Sequence, residues 1–153
     1  MGLKVGYAVG AFDLFHVGHL NILRQARSRC DFLIAGVVND ELCAEAKGHT
    51  PVIPLNERLE IVASISCVDK AVVEDHANRL ESWQELHFDV FFKGDDWRGT
   101  AAGFELERQF SSVGVAVVYF PYTLNTSSTL LRRTLNRLNA PLAVARVSQD
   151  GLS

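Results

Sequence analysis

The chain has 153 residues, 48% hydrophobic and 22% charged, the balance of one globular domain with enough length to bury a core. A formal net charge of −3 excludes a broad basic face for nucleic acid or an anionic membrane, so any polyanion site has to be local. Cys30, Cys43 and Cys67 are odd in number and lack metal-ligand spacing, which favours idle thiols in a reducing compartment over a disulfide framework. No run reaches transmembrane length, and the apolar stretch near the N-terminus suits a first strand better than a leader. The expectation is a cytoplasmic protein with no nucleic-acid or membrane partner.

Five short apolar runs rich in β-branched residues recur: Val5–Val9, Phe32–Val38, Ala71–Val73, Val90–Phe92 and Val115–Phe120. Helical spacing separates or follows them. Leu20, Leu23 and Ala26 come after the first run; Leu55, Leu59, Val62 and Ile65 after the second. Leu80, Trp83 and Leu86 precede the fourth; Phe104, Leu106 and Phe110 precede the fifth; Leu131, Leu135 and Leu138 close the pattern. Alternation of this kind predicts an α/β fold, a Rossmann-like doubly wound five-stranded parallel sheet with helices on both faces. Residues 40–54 read as a polar loop broken by Gly48, Pro51 and Pro54, with Asn56 as the N-cap of the next helix. Residues 1–139 form the expected domain, and 140–153 a patternless tail and candidate mobile segment.

The chemistry concentrates where strands end. Gly10-Ala11-Phe12-Asp13-Leu14-Phe15-His16-Val17-Gly18-His19 follows the first run, so a glycine turn leads into a helix whose first turns carry two imidazoles on one face. A helix N-terminus attracts anions, and two histidines there suit a phosphate whose charge is being redistributed; helix-start or metal-binding histidines are the bland alternatives. Asp13 either orders the turn or positions the Lys47 ammonium or a divalent ion. Lys47 and Arg58 are candidate phosphate cations, one a point charge and the other a bidentate fork. Gly94-Asp95-Asp96-Trp97 ends the fourth run, where the carboxylates either cap a helix or meet a ribose, a base or a metal, and Trp97 either stacks on a ring or covers the sheet edge. Thr126-Ser127-Ser128-Thr129 is a helix cap that also presents hydroxyls and N–H groups to phosphates.

Taken together, His16-Val17-Gly18-His19, Lys47-Gly48 with Pro51, Asn56-Glu57-Arg58 and the hydroxyl-rich final turn resemble the cytidylyltransferase-type nucleotidyltransferases over roughly Val5 to Leu138. Gly94-Asp95-Asp96-Trp97 is similar to the glycerol-3-phosphate cytidylyltransferases in particular. The resemblance implies transfer of CMP from CTP to a phosphorylated alcohol such as glycerol 3-phosphate, with Mg²⁺, release of pyrophosphate and a homodimer. It implies His16, His19, Lys47 and Arg58 as catalytic residues, and nucleotide contacts from Gly10, Ala11, Phe12, Asp13, Gly18, Gly94, Asp95, Asp96, Tyr122, Thr123, Asn125, Thr126, Ser127, Ser128 and Thr129. Lys47, Arg79 and Trp97 would meet the acceptor, and no residue is assigned as a metal ligand. Tyr122 stands where the family usually has arginine, and Ser66 or Cys67 where glycerol-phosphate members have a basic residue; Arg132 or Arg133 could supply the charge. Alternatives are an ATP-dependent adenylyltransferase acting on a sugar phosphate or cofactor precursor, and a nucleotide-binding homologue that has lost catalysis.

Overall fold

The computed structural model describes residues 2–121 and 127–150, with side chains through residue 139. Its strands are β1 (Val5–Gly10), β2 (Phe32–Val38), β3 (Lys70–Glu74), β4 (Val90–Gly94) and β5 (Ala116–Phe120). All neighbours pair in parallel, in the order β3-β2-β1-β4-β5. The strand order therefore reverses between β1 and β4, and the polar segments after both strands open on the same C-terminal edge, as a switch-point site requires.

Strand alternation divides the core. Ala8, Leu33, Ala35, Val37, Phe92 and Phe120 face one side, packed by Leu23 and Ala26 of α1 (Val17–Arg27) and Val62 of α3 (Leu55–Ala63). Tyr7, Ile34 and Phe91 face the other, against Leu80 of α4 (Arg79–Leu86) and Leu106 and Phe110 of α5 (Ala101–Ser111). Helices cover both faces, as the alternation predicts. On the second face the Tyr7 ring lies across Gly36, where a Cβ would overlap the phenol, and its hydroxyl donates to Glu74 Oε2 at the end of β3.

Two expectations from the sequence are corrected. The polar loop over residues 40–54 contains α2 (Asp40–Lys47): Asn39 Oδ1 accepts from Leu42 N at 2.8 Å, Asp40 and Glu41 sit in the first turn, and Gly48 ends the helix at φ 76°. Only Cys43 of this helix is buried, so hydrophobic periodicity is too thin to reveal it. Asn56 does not cap α3, which starts at Leu55 after Pro54 and has no side-chain cap. The last helix, α6 (Ser128–Asp150), begins within the hydroxyl-rich turn.

Arg58, on α3, is fully buried. Its Nε donates to Ile53 O at 2.8 Å, one terminal nitrogen donates to Ala11 O at 2.6 Å and Val38 O at 2.8 Å, and the other meets Asp40 Oδ1 at 2.6 Å. One guanidinium thus ties together the ends of β1 and β2, the segment before α3 and the first turn of α2. Arg58→Lys leaves an ammonium with three protons among four separated acceptors, and we expect urea unfolding to show a loss of about 2–4 kcal/mol. A variant of unchanged stability that had lost activity would contradict this role.

Candidate active site

The segment 10–16 crosses from β1 to α1 with two non-glycine residues in left-handed backbone, Phe12 at φ 53° and Leu14 at φ 51°. It delivers His16 to the N-cap of α1, where Nδ1 accepts from Gly18 N at 3.0 Å, while His19 Nδ1 accepts from His16 N at 3.3 Å. The two rings stack with centroids 4.0 Å apart. Because each Nδ1 is an acceptor, each imidazole is neutral with its proton on Nε2, a donor available to a ligand. Burial lowers the pKa of His16. That of His19 falls to about 3, mainly through burial, then through the repulsion a protonated His16 would exert and the charge of Lys47, with Asp13 opposing. Ser128, at the start of α6, donates to Asp13 O at 2.5 Å and lies 3.5 Å from His16 Nε2, so the last helix begins beside the imidazole pair.

Several nucleotide contacts expected from the sequence turn inward. Phe12 is a core side chain whose ring packs on those of Phe15 and His19. Asp13 is buried, and its carboxylate accepts from Val52 N at 2.8 Å and Ile53 N at 2.9 Å, two amides of the segment before α3. Arg132 approaches the same carboxylate at 3.9 Å. Arg58 is spent on backbone carbonyls and Asp40, and is a positioning residue with no face toward a phosphate. Ala11 contributes its carbonyl to Arg58. Ser127 Oγ is engaged in capping, accepting from Leu130 N at 3.0 Å, whereas Thr129 is exposed. Tyr122, Thr123, Asn125 and Thr126 lie outside the described residues.

Across the switch point, Gly94 ends β4 and Asp95–Trp97 forms a single 3-10 turn. The acidic pair does not cap α5, since Thr100 does, through Gly103 N at 3.1 Å. Trp97 lines a cleft of about 470 Å³ together with Asn78, Arg79, Glu105 and Gln109. Arg79 and Trp97, assigned separately from the sequence, thus meet in one cavity. Two residues of the site have no assignment from the sequence. Glu74, 1% exposed, accepts from Arg79, Ser82 Oγ and His76 N and so fixes the arginine at the cleft. Lys93 places its ammonium 4.2 Å from the Trp97 ring centroid. Both are charges closing otherwise apolar strand runs, a signal available in the sequence. Lys47 is exposed at the end of α2, and its charge disfavours the protonated forms of both His19 and Lys93.

Residues 7–134 match the cytidylyltransferase-like family. The chain belongs to that family. Among its relatives, the bifunctional protein HldE of Caulobacter sp. strain K31 is 37% identical over 142 residues, covering 92% of this chain and 28% of that protein. HldE of Caulobacter vibrioides is 42% identical over 97 residues, covering 63% of this chain and 20% of the relative. The chain therefore spans about a quarter of the length of the HldE proteins it matches. The crystal structure of a lipopolysaccharide core biosynthesis protein from Thermoplasma volcanium superposes with a TM-score of 0.67 at 25% identity, covering 80% of this chain and 98% of that one. Among the described residues of this cytidylyltransferase-like chain, no helix is long and apolar enough to cross a membrane.

The imidazole geometry has a pH consequence. His19, with a folded pKa of about 3 against an ordinary 6.5, should show no titration by NMR between about pH 5 and 8. The fold binds fewer protons than the unfolded chain in that window, so this contribution to stability is complete above pH 6.5 and is lost as pH falls toward 3. His19→Asn should flatten that part of the acid stability curve; an imidazole titrating near its ordinary pKa would contradict the assignment.

Proposed function

We propose that the chain transfers an adenylyl group from ATP to a sugar phosphate and releases pyrophosphate. The observation that carries this reading is the pair of neutral imidazoles at the N-terminus of α1, hydrogen-bond donors suited to a reacting phosphate. On the α4–α5 face a cleft adds Arg79 as a cation for phosphate, Trp97 as an aromatic face, and Asn78, Glu105 and Gln109 as polar groups for hydroxyls. The HldE relatives support sugar-phosphate adenylyl transfer over CMP transfer to glycerol 3-phosphate. The similarity to a lipopolysaccharide core biosynthesis protein also favours saccharide chemistry.

In the reaction, an oxygen of the acceptor phosphate attacks the α-phosphorus in line, forming one P–O bond as the bond to pyrophosphate breaks. The attacking phosphate is already anionic and needs no base. That suits an imidazole with a pKa of about 3, which is too weak a base to take a proton near neutral pH. His16 and His19 instead donate from Nε2 to the α-phosphate oxygens, where charge grows in the transition state. The open N–H groups of α1 and the Arg132 guanidinium are suited to the remaining triphosphate charge. Magnesium would accompany the triphosphate substrate as its counter-ion.

Pyrophosphate release, measured for ATP and CTP against hexose phosphates, heptose phosphates and glycerol 3-phosphate, tests this assignment. We expect ATP with a sugar phosphate to turn over fastest, and His16→Ala to lower kcat by about 100-fold or more. Faster turnover of CTP with glycerol 3-phosphate would reverse the substrate assignment. Nucleotide binding without turnover of any pair would mark a non-catalytic homologue.

A further inference from the structure

Lys93 occupies the fourth position of β4, after Val90, Phe91 and Phe92. Alternation along the strand places it on the same side as Phe91 and Tyr7, the α4–α5 face on which the cleft lies. Its register partner on β5 is Tyr119. It is half-buried, and its ammonium rests over the indole of Trp97, a cleft-lining residue. A lysine held against an aromatic ring at an enclosed edge gives up hydration that an exposed lysine keeps, and an entering anion restores what was given up.

The surrounding charges point the same way. Asp96, on the 3-10 turn, favours the charged form of Lys93, whereas Arg79 from α4 and Lys47 from α2 oppose it, and burial is the largest opposing effect. Arg79, which lines the cleft, and Lys47 each therefore lie within electrostatic range of Lys93. Arg79 is anchored by Glu74 and the His76 carbonyl. Such mutual repulsion is relieved by a phosphate dianion between them.

Resting on the sugar-phosphate reading, we propose that Lys93 binds the acceptor phosphate opposite Arg79, its ammonium shifting from the Trp97 ring onto the phosphate and leaving that ring face to the sugar. Acceptor recognition is then a two-cation clamp, with a fixed guanidinium on one side and a movable ammonium on the other. Lys93 takes no part in nucleotide binding. It selects acceptors that carry a phosphate over neutral sugars.

Lys93→Gln and Lys93→Arg, compared with wild type, test the clamp using the hexose or heptose phosphate that turns over fastest and ATP as co-substrate. Expected for Lys93→Gln is an acceptor KM raised about tenfold or more with the ATP KM within about twofold, and Lys93→Arg should recover most of the loss. An unchanged acceptor KM, equal rises in both KM values, or no recovery with arginine would overturn the proposal. A second measurement is independent of turnover: calorimetric titration of inorganic phosphate with the nucleotide site saturated by α,β-methylene-ATP. Weaker phosphate binding in Lys93→Gln than in wild type and Lys93→Arg supports the clamp, and equal binding in all three overturns it. If no acceptor turns over in wild type, the sugar-phosphate reading fails, and this titration still decides the role of Lys93.

Discussion

A guanidinium without solvent exposure holds the working edge of this protein together. Where parallel strands stop, the carbonyls beyond the ladder lose their partners, and a buried carbonyl without a donor is costly. Arg58 supplies donors to Ala11 O and Val38 O, just beyond β1 and at the end of β2, and to Ile53 O, while Asp40 receives its remaining charge. Asp13 performs the complementary task for the Val52 and Ile53 amides. These two charged side chains stitch the β1 turn to the segment before α3. Left-handed Phe12 and Leu14 persist because that stitching leaves the turn no cheaper path.

What the stitched turn delivers is a pair of imidazoles in a fixed protonation state. Backbone amides occupy both Nδ1 atoms, and stacking at 4.0 Å penalises a second positive charge. Two neutral donors at a helix N-terminus stabilise growing negative charge without first having to lose or gain a proton. The site thus separates two tasks. In the proposed reaction, neutral Nε2–H groups and helix amides would face the reacting phosphorus, and full cations would balance the substrates' standing charges.

The strand runs, their alternation with helices and the histidine pair are legible in the sequence because each is a local pattern repeated in register with the fold. Direction is not legible. Arg58 and Lys47 look equivalent beside a phosphate motif, yet Arg58 lies one helical turn before Val62 on the buried stripe of α3, and Lys47 lies on an exposed helix end. Reading Arg58 as part of that stripe assigns it to the interior. Helix α2 escapes the sequence because a helix held by its caps and charged ends with one buried residue has almost no hydrophobic period. Glu74 and Lys93 receive no role from the sequence for a related reason: a strand-end charge is usually solvated, and the partners that hold these two, Arg79 and Trp97, are distant in sequence or on the far side of a turn.

In the proposed reaction the imidazole pair stabilises a direct displacement and never forms a bond to phosphorus. The stereochemical course at the α-phosphorus, followed with an isotopically chiral α-thio-ATP and a sugar phosphate acceptor, tests this most directly. A single in-line attack predicts inversion of configuration. Retention would require two displacements through a nucleophile on the protein, and would contradict the role of His16 and His19 as neutral hydrogen-bond donors.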